Sequence, residues 1–506
     1  MGLQQSDIIG IIGAGAMGAG IAQVAAIAGH KVLLNDINSA AAKAALISIE
    51  KRILRMVEKG RLNQVDAKKS INNLNVANQL EDLKPAKLII EAAVENLNIK
   101  RDIFAKLEDI CSKDTILSTN TSSLSINAIA SGMQRPQNIV GLHFFNPAPI
   151  MKLVEIVSGI ETNPIIADLL YDTASAWGKI PVHAKSTPGF IVNRVARAFY
   201  GEALNLLNEN ATDAATIDTL LKTCGGFRMG ALELTDLIGH DVNYAVSCSV
   251  YDAYYGDARF KPSLIQKALV DAGRLGRKSD QGFYEYGDTA KPANPKVAKA
   301  QQAPKSFRAY ATLSFNHNML PLLQSSEIKM EFVEDQSKRG MLLPSGVHLF
   351  FTRGMLATKE AALIGAPVVL LDLATDYVKT SHLAIAASDC CSQDQLNQVV
   401  GLLQALGKKV CIIDDVAGMV VMRTIAMLAN EAADAVNQNV ANAKDVDLAM
   451  KNGVNYPKGP LEWADQIGVS YLANVLENME DVYGETRYRV SPLMQRKAIR
   501  GANFHD

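Results

Sequence analysis

The first third of the chain switches between short apolar runs and longer stretches with apolar residues every three or four positions. Asp7–Ile12, Lys31–Asn35, Leu88–Ala92, Thr115–Thr119, Val140–Leu142 and Lys152–Val157 read as strands, and the stretches between them as helices. Strands alternating with helices predict a doubly wound sheet. Beyond Ser186 helical periodicity takes over.

The helical pattern occurs twice. At an offset of 229 residues Gly189 falls on Gly418, Arg194 on Arg423, Glu202 on Glu431 and Asp218 on Asp447. Gly230-Ala231-Leu232-Glu233 falls on Gly459-Pro460-Leu461-Glu462, and Gly178-Lys179 on Gly407-Lys408. Matches held at one offset over this span mark an internal duplication. The Ala-, Lys-, Pro- and Asn-containing stretch from Asp288 reads as a linker.

The 506 residues, 48% of them apolar and 20% charged, suffice for several cores and exclude a disordered chain. A net charge of −1 argues against nucleic acid or an anionic membrane as the main partner. The run Ile8–Gly29 carries no charge, but its six glycines and Gln23 suit a buried strand–turn–helix better than a membrane span. Six scattered cysteines without a Cys-x-x-Cys pair read as reduced thiols of a cytoplasmic protein, and no metal site is expected.

Gly13-Ala14-Gly15-Ala16-Met17-Gly18 lies between a predicted strand and a predicted helix, the setting that G-x-G-x-x-G needs to bind a dinucleotide. Gly13 permits the tight turn, Gly15 lets backbone approach a pyrophosphate, and Gly18 lets helix pack closely on strand. Asp36 ends the next strand, where a carboxylate accepts from ribose hydroxyls and repels a 2′-phosphate. NAD is therefore expected over NADP. The helical stretch Ser39–Leu62 carries Lys51, Arg52, Arg55 and Lys59. Lys51, Arg55 and Lys59 share one face, either a solvated surface or a docking site for an anionic group.

Polar chemistry concentrates in Ser118–Ser123, at a predicted strand end, and in His143-Phe144-Phe145-Asn146-Pro147. Glu155 follows in an apolar strand, where burial demands a partner. His143 can supply it. A histidine oriented by a carboxylate can remove an alcohol proton while hydride leaves the same carbon. From spacing alone, a hydrogen-bonded core histidine is the favoured reading of His143.

These motifs, with Ser186-Thr187-Pro188-Gly189-Phe190-Ile191-Val192-Asn193-Arg194, stand in the order seen in the 3-hydroxyacyl-CoA dehydrogenases, which the chain resembles over residues 7–286. The resemblance implies NAD as cofactor, held by Gly13, Gly15, Met17, Gly18, Asp36, Glu95, Lys100, Ser122 and Asn146. It implies an (S)-3-hydroxyacyl-CoA substrate, with His143 as general base and Glu155 as its orienting partner. Ser122 would hold the hydroxyl and Asn193 the developing keto oxygen. The basic face of Lys51, Arg52, Arg55 and Lys59 would meet the CoA phosphates.

The expected organisation is α/β plus all-α. A Rossmann-type NAD-binding domain covers 1–184, a helical domain 185–287, and a linker region 288–339. A reduced α/β segment without the nucleotide motif covers 340–410, and a second helical domain 411–506. In the second copy Asp372 stands at the place of His143, Ala384 at that of Glu155 and Met422 at that of Asn193. This copy is expected to lack chemistry and to replace the dimer interface of a shorter relative, while a homo-oligomer stays open.

The two-copy layout resembles the long branch of the family that acts on 3-hydroxyadipyl-CoA in bacterial phenylacetate breakdown. Its distal carboxylate would favour a cation or open solvent, with Arg228 (otherwise a solvent-facing loop residue), Arg194 and Arg197 as candidate cations. Arg228 and Ala231 depart from the family's usual Gly-Phe-Pro-Met-Gly-Pro loop, removing two φ constraints. The alternatives are a 3-hydroxybutyryl-CoA or generalist enzyme of fatty-acid metabolism, a hydroxyisobutyrate-type dehydrogenase, or a non-catalytic NAD-binding protein on the same fold.

Overall fold

The opening apolar run forms the strand β1 (Ile9–Ile12), buried throughout, and the glycine turn after it leads into the helix Ala16–Ile27. Nearly every residue of that helix is small or apolar, because it lies flat on the sheet. The uncharged run Ile8–Gly29 is thus a strand–turn–helix. No described helix is long and apolar enough to cross a membrane.

The computed structural model describes residues 2–288, 290–310, 319–335 and 337–506. The chain divides into two units. One comprises Met1–Arg194 with Gln438–Val454, the other Val195–Asn437 with Asn455–Asp506.

In the first unit β1 joins β2 (Val32–Asn35), β3 (Leu74–Ala77), β4 (Leu88–Glu91), β5 (Ile116–Thr119), β6 (Ile139–Phe144), β7 (Leu153–Ser158) and β8 (Ile180–Lys185). The sheet order is β3-β2-β1-β4-β5-β6-β7-β8. All neighbours are parallel except β6 and β7, whose antiparallel register sets His143 opposite Glu155. This is a Rossmann-type doubly wound sheet, and its first crossover carries the glycine turn.

Asn38 caps the helix Ser39–Glu58, accepting from the Ala40 and Ala41 N–H groups. The helix buries Ala42, Ala45, Ile49 and Ile53, at the spacing of one helical face, and leaves Lys51 and Arg55 exposed. The helix Ala443–Gly453, from the second repeat, packs on β7 and β8 of this unit. Asp445 accepts from His183 N at 3.4 Å, and Val440 O from Lys185 N at 2.9 Å.

The second unit holds a smaller sheet and most of the helices. Its strands are β9 (Ser306–Tyr310), β10 (Lys329–Val333), β11 (Met341–Leu342), β12 (His348–Phe351), β13 (Val368–Leu371), β14 (His382–Ala387) and β15 (Lys409–Ile413), in the order β10-β9-β11-β12-β13-β14-β15. β9 and β10 come from the stretch read as a linker, 288–339, of which residues 289, 311–318 and 336 lie outside the described residues. Residues 290–304 run without helix or strand, as a linker does, whereas Ser306–Tyr310 and Lys329–Val333 are built into the sheet rather than left as connection.

Strands β12 to β15 pair parallel, antiparallel, parallel, as β5 to β8 do. β14 matches β7 at the offset of 229 residues. Left-handed backbone repeats at that offset too: Phe190 and Met419 have φ of 47° and 55°, Asn210 and Asn439 of 54° and 58°. Among the described residues, the half of the sheet that bears the glycine motif has no counterpart; β9–β11 stand in its place.

The two helical repeats pack together within the second unit, Arg197–Asn208 against Val421–Asn437. Their contact buries ions in pairs. Arg423 meets Glu202 at 2.7 Å and Glu209 at 2.8 Å, and Arg487 meets Glu202 at 2.7 Å. In the opposite sense Arg259 meets Glu431 at 3.1 Å. Such reciprocity is the pattern of an isologous interface, here within one chain.

Candidate active site

The glycine turn is shaped by absent side chains. Gly13 has φ of 98°, and a Cβ there would lie 2.5 Å from Ala92 O. A Cβ on Gly18 would lie 1.8 Å from Gly13 O, whereas Gly15 meets nothing within 4 Å and is exposed. The helix Ala16–Ile27 starts without a side-chain cap, so N–H groups at its start, Met17 among them, face the turn. This cradle fits a pyrophosphate. Asp36, half-buried at the end of β2, accepts from Ala14 N at 2.7 Å and Asn38 N at 2.9 Å, which ties this carboxylate to the turn.

The ends of β4 and β5 hold a polar cluster. Glu91, fully buried, accepts from Lys100 Nζ at 2.8 and 2.9 Å, from Thr119 Oγ1 at 2.7 Å and from Ala93 N at 2.6 Å. Lys100 is buried as well, and it reaches Glu95 at 3.3 Å. Glu95 Oε1 accepts from Thr121 Oγ1 at 2.6 Å, Ser122 N at 3.0 Å and Ser123 Oγ at 3.0 Å. Burial pushes its carboxyl up, but the Thr121 bond, the Lys100 charge and the serine donors outweigh this and hold it below the usual range. Sequence reasoning missed Glu91 and Thr121. A carboxylate closing the apolar run Leu88–Glu91 was the signal.

His143 Nδ1 lies 2.7 Å from Glu155 Oε2 across the β6–β7 pair. Glu155 is fully buried and its other oxygen accepts from Ile191 N and Val192 N, each at 3.1 Å. One carboxylate thus holds both the imidazole and the chain leading to Asn193. Asn193 Nδ2 donates to Ser122 O at 3.3 Å. Phe145 and Phe190 flank the imidazole, with ring centroids 4.5 and 5.8 Å away. Asn120 Oδ1 accepts from Phe144 N at 2.8 Å and pins the end of β6. Asn146 follows, exposed.

His143, Glu155, Ser122 and Asn193 therefore come together. Other candidates lie elsewhere. Lys51, Arg55 and Lys59 are exposed on the outer helix, whereas Arg52 turns inward and donates to Gln23 Oε1 at 2.8 Å. Arg228 is exposed on a loop of the second unit. Arg194 donates to Gln438 Oε1 at 2.9 Å, and Arg197 to Ser247 Oγ at 3.1 Å.

Residues 8–187 match the NAD binding domain of 3-hydroxyacyl-CoA dehydrogenase, and residues 189–286 and 418–503 match its C-terminal domain twice. Together these spans exceed half of the chain. The chain belongs to the 3-hydroxyacyl-CoA dehydrogenase family. It is an NAD-dependent oxidoreductase of 3-hydroxyacyl-CoA thioesters. Residues 349–416 match the reduced Rossmann-fold domain of 3-hydroxybutyryl-CoA dehydrogenase.

Among similar proteins, the 3-hydroxyadipyl-CoA dehydrogenase of Escherichia coli K12 is 42% identical over 98% of both chains. The 3-hydroxybutyryl-CoA dehydrogenase of Clostridioides difficile is 39% identical, covering 55% of this chain and 99% of its own. Among solved structures, a 3-hydroxybutyryl-CoA dehydrogenase from Escherichia coli K12 superimposes with a TM-score of 0.90 at 40% identity, over 99% of each chain.

The second copy of this dehydrogenase keeps the scaffold of the site without its groups. Asp372 follows β13 and its N–H meets Ala384 O at 3.0 Å, so the two residues face each other as His143 and Glu155 do. The Asp372 carboxylate accepts from Val420, Val421 and Met422 N–H at 3.0, 2.8 and 3.1 Å. Burial pushes this carboxyl up to about 6 against the pull of those donors.

Proposed function

We propose that this dehydrogenase oxidises (S)-3-hydroxyadipyl-CoA to 3-oxoadipyl-CoA, with His143 as general base. The observation that carries the catalytic assignment is the short bond from His143 Nδ1 to buried Glu155. Accepting there, the carboxylate keeps the proton on Nδ1 and leaves the Nε2 lone pair for the substrate hydroxyl. The 3-hydroxyl proton passes to Nε2, and Glu155 stabilises the imidazolium that results. NAD, when bound, accepts the hydride from the same carbon.

Ser122 and Asn193 hold the substrate oxygen as it becomes a ketone, each donor contributing about 2–4 kcal/mol in the transition state. Gly13, Gly15, Met17 and Gly18 hold the pyrophosphate and Asp36 the adenosine ribose. Glu95 and Asn146 line the nicotinamide end. Lys100 is a positioning residue there, since its ammonium is spent on Glu91 and Glu95. Lys51, Arg55 and Lys59 form the outer basic face for CoA phosphates, with Arg52 contributing less because it turns toward Gln23.

The adipyl assignment is supported by the full-length relative of that name. A 3-hydroxybutyryl substrate is the second reading, favoured by the full-length structural relative described as such. Relative kcat/KM on 3-hydroxyadipyl-, 3-hydroxybutyryl- and 3-hydroxyhexanoyl-CoA, followed as NADH absorbance, separates them. A clear preference for the adipyl thioester supports our reading, and a preference for butyryl overturns it. We further infer that the second helical copy replaces the partner of a dimeric relative, and that the unbridged cysteines belong to a cytoplasmic protein.

A further inference from the structure

A cavity of about 490 Å³ lies within the second unit, bounded by the reduced sheet and by the helices Pro460–Ile467 and Val469–Tyr483. Its size is that of a small-molecule site. Phe350, Phe351, Leu373, Met422, Trp463 and Tyr471 make its apolar lining. Met422 stands at the place Asn193 takes in the first copy, so the wall has lost its donor for a reacting oxygen. The lining phenols are already engaged. Tyr377 Oη donates to Asp372 O at 2.9 Å, and Tyr471 Oη to Thr352 O at 2.7 Å.

Charge is confined to one side of the lining. Arg339 and Arg353 line the cavity there, and both pair with a single carboxylate, that of Glu360. Arg353 Nε lies 2.7 Å from Glu360 Oε1, while Arg339 reaches Oε2 and stacks 4.2 Å above the Phe350 ring. Glu360 is 1% exposed at its side chain, and the arginines are 30% and 35% exposed. Two guanidinium forks sharing one buried carboxylate leave a net positive charge beside an apolar chamber, together with donors unmatched by that one partner.

We propose that this remnant of the second active site binds a small monocarboxylate with an apolar or aromatic body. The body lies among Phe350, Phe351, Trp463 and Tyr471, and the carboxylate sits on Arg339 and Arg353. One negative charge matches the uncompensated charge of the Arg–Glu–Arg group, and an apolar body matches the lining. The site binds without turning over its ligand, because the Asp372 carboxylate at the place of His143 is held by the Val420, Val421 and Met422 N–H groups, and Met422 at the place of Asn193 offers no side-chain donor.

Octanoate, with 1-octanol as the uncharged control, tests the proposal by calorimetric titration of the full-length protein. Saturable octanoate binding is expected at one site per chain, with octanol weaker by about tenfold or more. Arg353→Met is expected to weaken octanoate about tenfold while leaving octanol binding and kcat unchanged. Glu360→Gln, which raises the local positive charge, is expected to tighten it. No saturable binding, equal affinity for octanol, or octanoate binding indifferent to both substitutions overturns the proposal. Should Arg353→Met fail to fold, the octanol comparison on the unaltered protein decides.

Discussion

Asp372 caps its helix start from the strand position of His143, whereas Glu155 caps the equivalent start from the neighbouring strand. Three N–H groups, of Val420, Val421 and Met422, converge on Asp372, as those of Ile191 and Val192 converge on Glu155. One carboxylate per copy meets the same backbone demand, but only in the first does it also hold an imidazole. The second copy thus meets the demand of its fold with a carboxylate on the other strand, and has no histidine–carboxylate pair at this place.

This relationship has a pH signature. The Asp372 carboxyl is raised from 3.8 to about 6, so the folded chain holds a proton there that the unfolded chain releases between those values. Its contribution to stability is fully present below about pH 4 and is lost as pH rises through about 6. The stability advantage of the wild type over Asp372→Asn is expected to be larger at pH 4.5 than at pH 7.5, by about 2 kcal/mol. Urea midpoints of both proteins at the two pH values measure it, and an advantage that grows with pH contradicts it.

Glu155 joins stability to turnover. Glu155→Ala leaves the Ile191 and Val192 N–H groups and the imidazole without their acceptor, at a cost of about 3 kcal/mol or more. Glu155→Gln keeps an acceptor oxygen and should lose less stability while still losing kcat, because an amide does not stabilise the imidazolium. Denaturation and steady-state kinetics on both variants check this. Full activity in Glu155→Gln would refute the orienting role.

In the proposed mechanism Asp36 sets the choice of dinucleotide. Asp36→Ser removes the charge that repels a 2′-phosphate and weakens the hold on the ribose. The kcat/KM for NAD should fall about tenfold or more, and the NADP/NAD ratio should rise. Initial rates with each dinucleotide test this directly. An unchanged ratio would place the ribose elsewhere.

Termination near residue 295 removes the helix Val421–Asn437 from its place against Arg197–Asn208 and strips the partners of Glu202 and Glu209. The shortened chain is expected to dimerise or aggregate in size-exclusion chromatography. A fully active monomer would show that the second copy does not stand in for a partner.

Much of this was legible in the amino-acid order, for identifiable reasons. β1, β2 and β4 are buried on both faces and read as apolar runs, and Gly13, Gly15 and Gly18 sit where only missing side chains allow the turn. His143 and Glu155 became a pair through one antiparallel register, which spacing alone cannot specify. β9 and β10 were hidden because β10 is largely exposed and lacks the alternation of a half-buried strand. The inward turn of Arg52 was equally invisible, since it depends on Gln23 in another helix. Nor does any local pattern tell that Ala443–Gly453 packs on β7 and β8 while its counterpart Ala214–Thr223 packs on β14.

The central claim is that His143 takes the substrate proton. The most direct measurement is the kcat of His143→Gln with 3-hydroxyadipyl-CoA and NAD, alongside NADH binding to the same variant. The account predicts a fall in kcat of about 10²–10⁴-fold with NADH affinity close to wild type. A kcat within a fewfold of wild type would contradict it.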